Sequence, residues 1–365
     1  MILYEFEGKE LLAKYGISVP KFQIVSSLKE KIRIKPPFIV KAQILSGKRK
    51  DAGGIGANVA GVLGKVVNKE KVEKVLVEEK VDHDTEYYFS ITYDTDFRAP
   101  IITFSSSGGT GVEEKKVEII EIDPISYSFK LTKDTVVPQK VAKIIPQLIE
   151  MFFSLDLLLL EINPLVIDKK GNAVALDAKI KLDDSALVRH PELVFSPRAV
   201  PGHKPTQREI DAKKIDEGDY RGTAGATFFD LPGNIAVLAS GGGASITAMD
   251  ALIKEGGAPG NYTEYGGNPP KEKVEKLTKV VLSKPGLHGL WIVGAVANFT
   301  DIYETLSGFL KALRKIKPKP KFPIVIRRGG PRDVEAFKML KKVKDFDFHL
   351  FGQETSITES AEIMV

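Results

Sequence analysis

The chain has 365 residues, 43% apolar and 28% charged, a globular composition too long for one ordinary core, so roughly two or three domains are expected. No apolar run approaches the roughly 20 residues of a bilayer span, and the opening Met1-Ile2-Leu3-Tyr4-Glu5-Phe6-Glu7 lacks a basic-then-apolar export signal, which predicts no membrane association and a cytoplasmic location. The absence of cysteine excludes disulfides, thiolate zinc sites and thiol nucleophiles, and a net charge of +5 spread over interleaved acids and bases argues against nucleic acid while leaving anionic small molecules open.

From Tyr4 to Tyr15 the apolar residues Phe6, Leu11, Leu12 and Tyr15 predict a short helix that ends at Gly16. Strands are predicted at Phe38 to Lys41, Val59 to Val67, Lys74 to Val81, Tyr87 to Tyr93 and Ile101 to Phe104, an α+β pattern. After Lys41 comes Gln43-Ile44-Leu45-Ser46-Gly47-Lys48-Arg49-Lys50-Asp51-Ala52-Gly53-Gly54, which reads either as a basic, glycine-rich cover for phosphates or as an exposed turn. Glu78 and Glu79 close a strand, and Glu86 follows after a turn; such carboxylates accept from an adenine amine or a ribose, or are solvated strand ends. Ser105-Ser106-Ser107-Gly108-Gly109-Thr110-Gly111 is a second loop of the phosphate-facing type.

Val141 to Leu155 is an apolar, helix-length segment leading into Leu160-Glu161-Ile162-Asn163-Pro164-Leu165-Val166-Ile167, a Lys-Lys-Gly turn and Ala175-Leu176-Asp177-Ala178-Lys179. Counting outward from Lys170 sets Asn163 opposite Asp177 and Glu161 opposite Lys179, and strand alternation places all four on one face. An amide oxygen and a carboxylate beside a second carboxylate and a lysine suit a hard cation such as Mg²⁺ bridging phosphates; the alternative is a solvated face with ordinary cross-strand pairs.

Prolines at 191, 197, 201, 205 and 232 with little periodicity mark 191–232 as a linker between a domain spanning 1–190 and one spanning 233–365. Beyond Gly233 the pattern becomes strand, glycine turn and helix, repeated, which predicts a parallel α/β domain. Asp301 and Glu304 form a capping-box pair at the start of a helix whose buried stripe is Ile302, Leu306, Phe309, Leu310 and Leu313. Every suggestive polar segment there lies at the carboxyl end of a strand: Gly241 to Ser245, Asn298-Phe299-Thr300, Arg327-Arg328 and Gln353-Glu354-Thr355. The arginine pair suits a carboxylate-rich ligand, with a surface salt bridge as the plain alternative. The five histidines are scattered and form no catalytic or metal-binding spacing.

The hairpin with Asp177 and Lys179, together with Lys41-x-Gln43, Gly47-x-Arg49, Ala52-Gly53-Gly54 and Leu76-Val77-Glu78, resembles the ATP-grasp fold of succinyl-CoA synthetase β subunits. In the second half, Ser240 to Ser245, Asn261 to Gly267, Ala297 to Thr300, Ile326 to Pro331 and Phe351 to Thr355 resemble the citrate-binding portion of ATP-citrate lyase and citryl-CoA synthetase. A succinyl-CoA synthetase would carry a glycine-rich segment in place of Asn298-Phe299-Thr300. The resemblance implies an ATP-grasp domain followed by a flavodoxin-like domain of the CoA-ligase type. It further implies that Lys41, Arg49 and Gly53 lie on nucleotide phosphates, that Glu78 faces adenine and Glu86 ribose, and that Asn163 and Asp177 hold Mg²⁺. Glu161 would meet a phosphohistidine, and Gly266, Gly267, Asn298, Phe299, Thr300 and Arg328 would line the citrate site. The phosphohistidine and the CoA-binding domain would belong to an α-like partner subunit, with ATP and CoA as co-substrates. Lys50, where relatives have glycine, and the Ser107 to Gly111 loop depart from the family pattern. A succinate-specific β subunit and a non-catalytic nucleotide-binding scaffold are the competing implications.

Overall fold

A computed structural model describes residues 1–47, 49–109, 111, 116–196, 198 and 205–365. Lys48 and Thr110 of the two glycine-rich loops, and Pro197 and Pro201 of the expected linker, lie outside the described residues. The chain divides into two compact units, Met1–Lys204 and Pro205–Val365.

The first unit carries helix α1 (Glu5–Lys14) and strands β1 (Phe22–Val25), β2 (Phe38–Ala42), β3 (Ile55–Gly56), β4 (Val66–Val67), β5 (Glu70–Lys71), β6 (Val75–Glu79), β7 (His83–Asp94), β8 (Ala99–Ser105) and β9 (Glu118–Glu121). Helices α2 (Gln139–Ala142) and α3 (Ile145–Ser154) precede β10 (Leu157–Asp168), β11 (Ala173–Ala175) and β12 (Lys179–Leu182). One antiparallel sheet runs β1-β6-β2-β3, and the larger runs β11-β10-β7-β8-β9 with β12 also on β10. The larger sheet buries Phe89, Ile91, Phe104, Leu160 and Ile162 under Leu148, Ile149 and Phe152 of α3. Valines 25, 40, 75 and 77 form a separate apolar cluster in the smaller sheet.

Three local readings change. The strand expected over Val59 to Val67 is a short 3-10 turn, Val59–Gly61, followed by the two-residue β4. Asn58 Oδ1 accepts from the Gly61 N–H at 2.7 Å, and Gly64 takes a left-handed φ of +80°, so local capping outcompetes the extended pattern. The apolar segment from Val141 is two helices, because Pro146 has no N–H to donate back to Ala142 and starts α3 instead. Residues 205–232 belong to the second unit and are not a linker. Thr206 and Glu209 form a full capping box on α4 (Gln207–Lys213), and Ala212 and Ile215 are buried against Val274, Leu277 and Val281.

In the second unit, β13 (Phe229–Asp230) pairs with β15 (Asn261–Tyr262), and a five-stranded parallel sheet holds β14 (Ile235–Ser240), β16 (Glu264–Tyr265), β17 (Gly289–Val296), β18 (Ile324–Gly329) and β19 (Phe348–Phe351). Its order is β16-β14-β17-β18-β19, so the chain turns one way from β14 and then doubles back past it, which is the 2-1-3-4-5 arrangement of flavodoxin-like folds. Helices α6 (Lys271–Leu282), α7 (Ile302–Lys315) and α8 (Asp333–Lys341) cover one face; α5 (Gly242–Lys254) and α9 (Ile357–Met364) cover the other. Alternation sends Ala236, Leu238, Leu290, Ile292, Ile324 and Ile326 to the first face and Val237, Trp291, Val293 and Val325 to the second. An α+β first unit followed by a parallel α/β second unit is the expected architecture. The Asp301 capping box is only half present: Asp301 accepts from the Glu304 N–H at 2.9 Å, but its own N–H donates to Asn268 Oδ1 at 3.1 Å.

Candidate functional site

In the first unit the site is built by bringing α1 hard against the sheet. A Cβ at Gly8 would come within 3.0 Å of Ala178 Cβ and 3.3 Å of Ile180 Cδ1, so any larger residue would have to push these neighbours back by a few tenths of an ångström. The close approach buries Glu5 and Lys9, which are one helical turn apart, against Lys41 of β2, Glu78 of β6 and Arg49 of the loop after β2. Glu5 accepts from Lys9 at 2.8 Å, Lys41 at 3.0 Å and Arg49 at 2.7 Å. Glu78 pairs with Lys9 and, at 2.5 Å, with Lys41. Arg49 reaches past Glu5 and grips both oxygens of Asp177, at 2.9 and 2.7 Å. Lys41 donates its third bond to the Leu176 carbonyl at 2.6 Å, and Arg49 also donates to the Ala42 carbonyl at 3.2 Å.

Glu5, Glu78 and Asp177 thus balance Lys9, Lys41 and Arg49. Asp177 is the most exposed of the six, its side chain 30% accessible. Burial pushes the Glu5 carboxyl up, but Lys41, Lys9 and Arg49 outweigh it and hold the group well below the usual carboxylate range. Burial likewise pulls Lys41 and Arg49 down; Glu5 and Glu78 lift the lysine, and Asp177 and Glu5 lift the arginine, above their ordinary values.

The hairpin register is the expected one. Glu161 pairs with Lys179, and Leu165 pairs with Ala175, so Asn163 and Asp177 occupy opposed positions across the break between β11 and β12. Lys179 lies 3.6 Å from Glu161. Asn163 is engaged with Gly109, accepting its N–H at 2.6 Å and donating to its carbonyl at 3.2 Å. Gly108 rests on the Tyr87 backbone, where a Cβ would fall 2.6 Å from the Tyr87 carbonyl oxygen. Glu86 lies 3.4 Å from His83 Nε2, and Gly53 turns with φ +75° and open space around it. The Glu78 carboxylate points inward, toward Lys9 and Lys41.

In the second unit the polar segments gather at the carboxyl edge of the parallel sheet. The two arginines separate, since neighbouring residues on a strand face opposite ways. Arg327 is occupied by backbone, donating to the Thr355 carbonyl at 2.7 Å and the Gly294 carbonyl at 2.6 Å. Burial, followed by the charge of Arg328, holds its pKa below the usual arginine value. Arg328 is 1% exposed and lies with its guanidinium carbon 5.8 Å from the Tyr265 ring centre. Its one hydrogen bond within the unit is a long one, Nη1 to the Ala295 carbonyl at 3.4 Å, while Nε and Nη2 are buried without a partner among the described residues.

Gly294 makes room for this guanidinium: a Cβ there would lie 1.9 Å from Arg328 Nη1 and 2.8 Å from the Ser240 carbonyl oxygen. Arg328 therefore reaches across β17 at the point where the strand order reverses. Thr300 is buried, Phe299 is 65% exposed, and Asn298 is exposed on the same connection. Gly266 and Gly267 form the turn after β16, with Gly267 at φ +66°. Sequence reasoning did not find Glu5, Lys9, Gly294 or Asn268. A Glu-Lys pair four apart on a helix is indistinguishable in sequence from a solvated one, and the need for glycine at 294 appears only once Arg328 crosses it.

The comparisons with known proteins follow this division. Residues 2–167 match the ATP-grasp domain, and residues 206–365 match the citrate-binding family of ATP citrate lyase. The succinate–CoA ligase [ADP-forming] β subunit of Aquifex aeolicus is 32% identical over 379 residues, covering 94% of this chain and 93% of its own. That of Methanocaldococcus jannaschii is 30% identical over 391 residues, covering 100% and 99%. The chain belongs to the succinate–CoA ligase β-subunit family. ATP citrate lyase from Methanothrix soehngenii, solved with citrate and coenzyme A, matches this structure with a TM-score of 0.83 at 25% identity, covering 99% of this chain and 98% of that one. As a member of this family the chain is a β-like ATP-grasp subunit of a CoA ligase. Among its described residues no helix is long and apolar enough to cross a membrane.

Two measurements follow from the buried charges. Because the Glu5 carboxyl is depressed in the folded chain, its contribution is complete above the unfolded value near pH ~4.3 and disappears as pH falls through the folded one. Glu5→Gln should cost roughly 3–5 kcal/mol at pH 7 by stranding buried cations, and the gap in melting temperature from wild type should narrow as pH drops below about 4. A gap that stays constant between neutral and acid pH refutes the assignment. Arg328→Met keeps the packed stem and removes a buried charge with unsatisfied donors, so it should stabilise the ligand-free chain by about 1–3 kcal/mol in urea unfolding. Destabilisation would mean that the guanidinium is already well satisfied.

Proposed function

We propose that this chain is the nucleotide- and acid-binding subunit of an ATP-dependent citrate-activating enzyme, working with an α-like subunit that brings the CoA site and a histidine to be phosphorylated. The carrying observation is Arg328: a fully buried guanidinium with two unpartnered donors at the crevice of a 2-1-3-4-5 sheet awaits an anion. A carboxylate is the planar partner that a guanidinium fork fits best. Asn298 and Thr300, on the connection after the neighbouring strand, add polar groups suited to a hydroxylated tricarboxylate, and the citrate-binding family match over 206–365 favours the same acid.

On the nucleotide side, Lys41 and Arg49 are the phosphate cations, Gly53 belongs to the covering loop and Glu86 serves the ribose. Asn163 and Asp177 supply an amide oxygen and a carboxylate, the hard donors that Mg²⁺ accepts alongside phosphate oxygens and water. When bound, Mg²⁺ neutralises charge on the phosphates. To free Asp177, Arg49 must release it; the phosphates offer the guanidinium another anion, so the exchange preserves the number of charge-assisted bonds.

In this reading the γ-phosphoryl group passes from ATP to the partner's histidine near Glu161, leaving ADP. A citrate carboxylate then takes the phosphoryl group from that histidine, and the thiol sulfur of CoA attacks the resulting acyl phosphate. Inorganic phosphate departs and citryl-CoA forms. Cleavage to acetyl-CoA and oxaloacetate would be a further step on the partner or on another enzyme. Succinate is the second reading, supported by the names of the 30–32% identical relatives.

The deciding assay is CoA-dependent ADP release by the reconstituted complex with citrate or succinate as the acid. Citrate should support turnover at least tenfold better; a preference for succinate overturns the choice of acid. Asp177→Ala should abolish Mg·ATP-dependent labelling of the partner, and labelling at the wild-type level would refute its assignment to the metal.

A further inference from the structure

We propose that Asn268 is a positioning residue of the acid site, a strap that sets the spacing between the Gly266–Gly267 turn and the Asn298–Thr300 segment. The proposal rests on the acid-binding reading of those two segments. Asp301 opens α7, and a residue in that place ordinarily gives its N–H to the side chain three positions on, here Glu304. The sequence supplies that glutamate, yet the N–H is given to Asn268 Oδ1 at 3.1 Å, 33 residues back along the chain. Asp301 itself is fully used, accepting from the Glu304 N–H at 2.9 Å and from Arg332 Nη1 at 2.9 Å. The donor next to Thr300 has thus been handed from a local partner to the turn after β16.

Residue type fits this role. Asn268 sits at φ +57°, directly after Gly267 at φ +66°. Glycine would take that conformation most freely, but it brings no acceptor; asparagine is the side chain that tolerates the left-handed region and supplies one. The turn is pinned on its other side as well. Gly266 accepts from the Thr223 N–H at 2.9 Å and donates to the Thr223 carbonyl at 3.1 Å. The loop that follows Thr223 is fixed by Asp216, which accepts from the N–H groups of Ala224, Gly225 and Ala226 at 2.9–3.1 Å and pairs with Lys273 at 3.1 Å. At the far end of the second segment, Ala297 donates to the Gly329 carbonyl at 2.8 Å, one residue beyond Arg328. Asn268 is the link joining the turn to the Asn298–Thr300 connection, and through it to the strand that carries Arg328.

The test compares Asn268→Gly, which keeps the left-handed backbone and deletes the acceptor, with Asn268→Asp, which keeps an acceptor. Titration calorimetry on the full chain with citrate, with succinate and with Mg·ATP is paired with hydrogen exchange at the Asp301 amide. Asn268→Gly should speed that exchange and weaken citrate binding about five- to tenfold, the worth of one hydrogen bond, with Mg·ATP affinity within about twofold of wild type. Asn268→Asp should restore slow exchange at Asp301. Faster exchange with unchanged citrate affinity overturns the positioning role, as does an equal loss of citrate and nucleotide affinity. If wild type binds succinate and not citrate, the choice of acid fails while the strap is read from the same ratio on succinate. A wild-type chain that binds neither acid overturns both.

Discussion

A cation removed from water must be given an anion, and the two units of this chain meet that demand in opposite ways. In the first, Lys41 and Arg49 are enclosed with Glu5, Glu78 and Asp177, and Lys41 Nζ and both Arg49 Nη atoms have a carboxylate or carbonyl within 3.2 Å. In the second, Arg328 is more deeply buried still, and two of its donor atoms face no acceptor within the unit. Replacing a carboxylate by a phosphate is an exchange between anions, whereas filling the space beside Arg328 relieves a standing desolvation cost. The first arrangement is electrostatically closed as it stands; the second leaves buried donors that an anion would satisfy.

The strand and helix pattern was largely legible, because alternation and 3.6-residue periodicity are local properties. Even the hairpin register could be counted from the Lys169-Lys170-Gly171 turn, and Glu161 faces Lys179 as counted. What the count could not give was the partner of each side chain. Asn163 bonds to Gly109, 54 residues away, and Asp177 to Arg49, 128 residues away; neither loop's position follows from the hairpin. Local rules also competed with one another. Asn58 and Gly64 turned an apolar run into a 3-10 turn, Pro146 cut one helix into two, and prolines around α4 concealed a helix that a Thr206–Glu209 capping box made perfectly regular.

The positions of the candidate residues were legible in proportion to how local their geometry is. Gly266, Gly267, Asn298, Thr300 and Arg328 all lie at carboxyl ends of strands, where an open parallel sheet presents its loops, so the fold class alone was enough to bring them to one edge. Arg327 shared that sequence position and still fell to the opposite face, spent on the Gly294 and Thr355 carbonyls. A residue pair that reads as one chemical feature is therefore split by the two-residue period of the strand that carries it.

That split also explains why the crevice lies where it does. The chain leaves β14 to form β16 on one side and returns to place β17 on the other, so the connections after β14 and β17 diverge and leave a gap above their ends. Alternation puts Arg328 on the α6–α7–α8 face, one strand away from the gap, and only a residue without a side chain at Gly294 lets the guanidinium cross to it. Any side chain at 294 would collide with Arg328 Nη1 and with the Ser240 backbone, so the guanidinium could not keep its place beside the Ala295 carbonyl and the Tyr265 ring. The placement of this buried guanidinium thus depends as much on an absent Cβ at 294 as on the arginine itself.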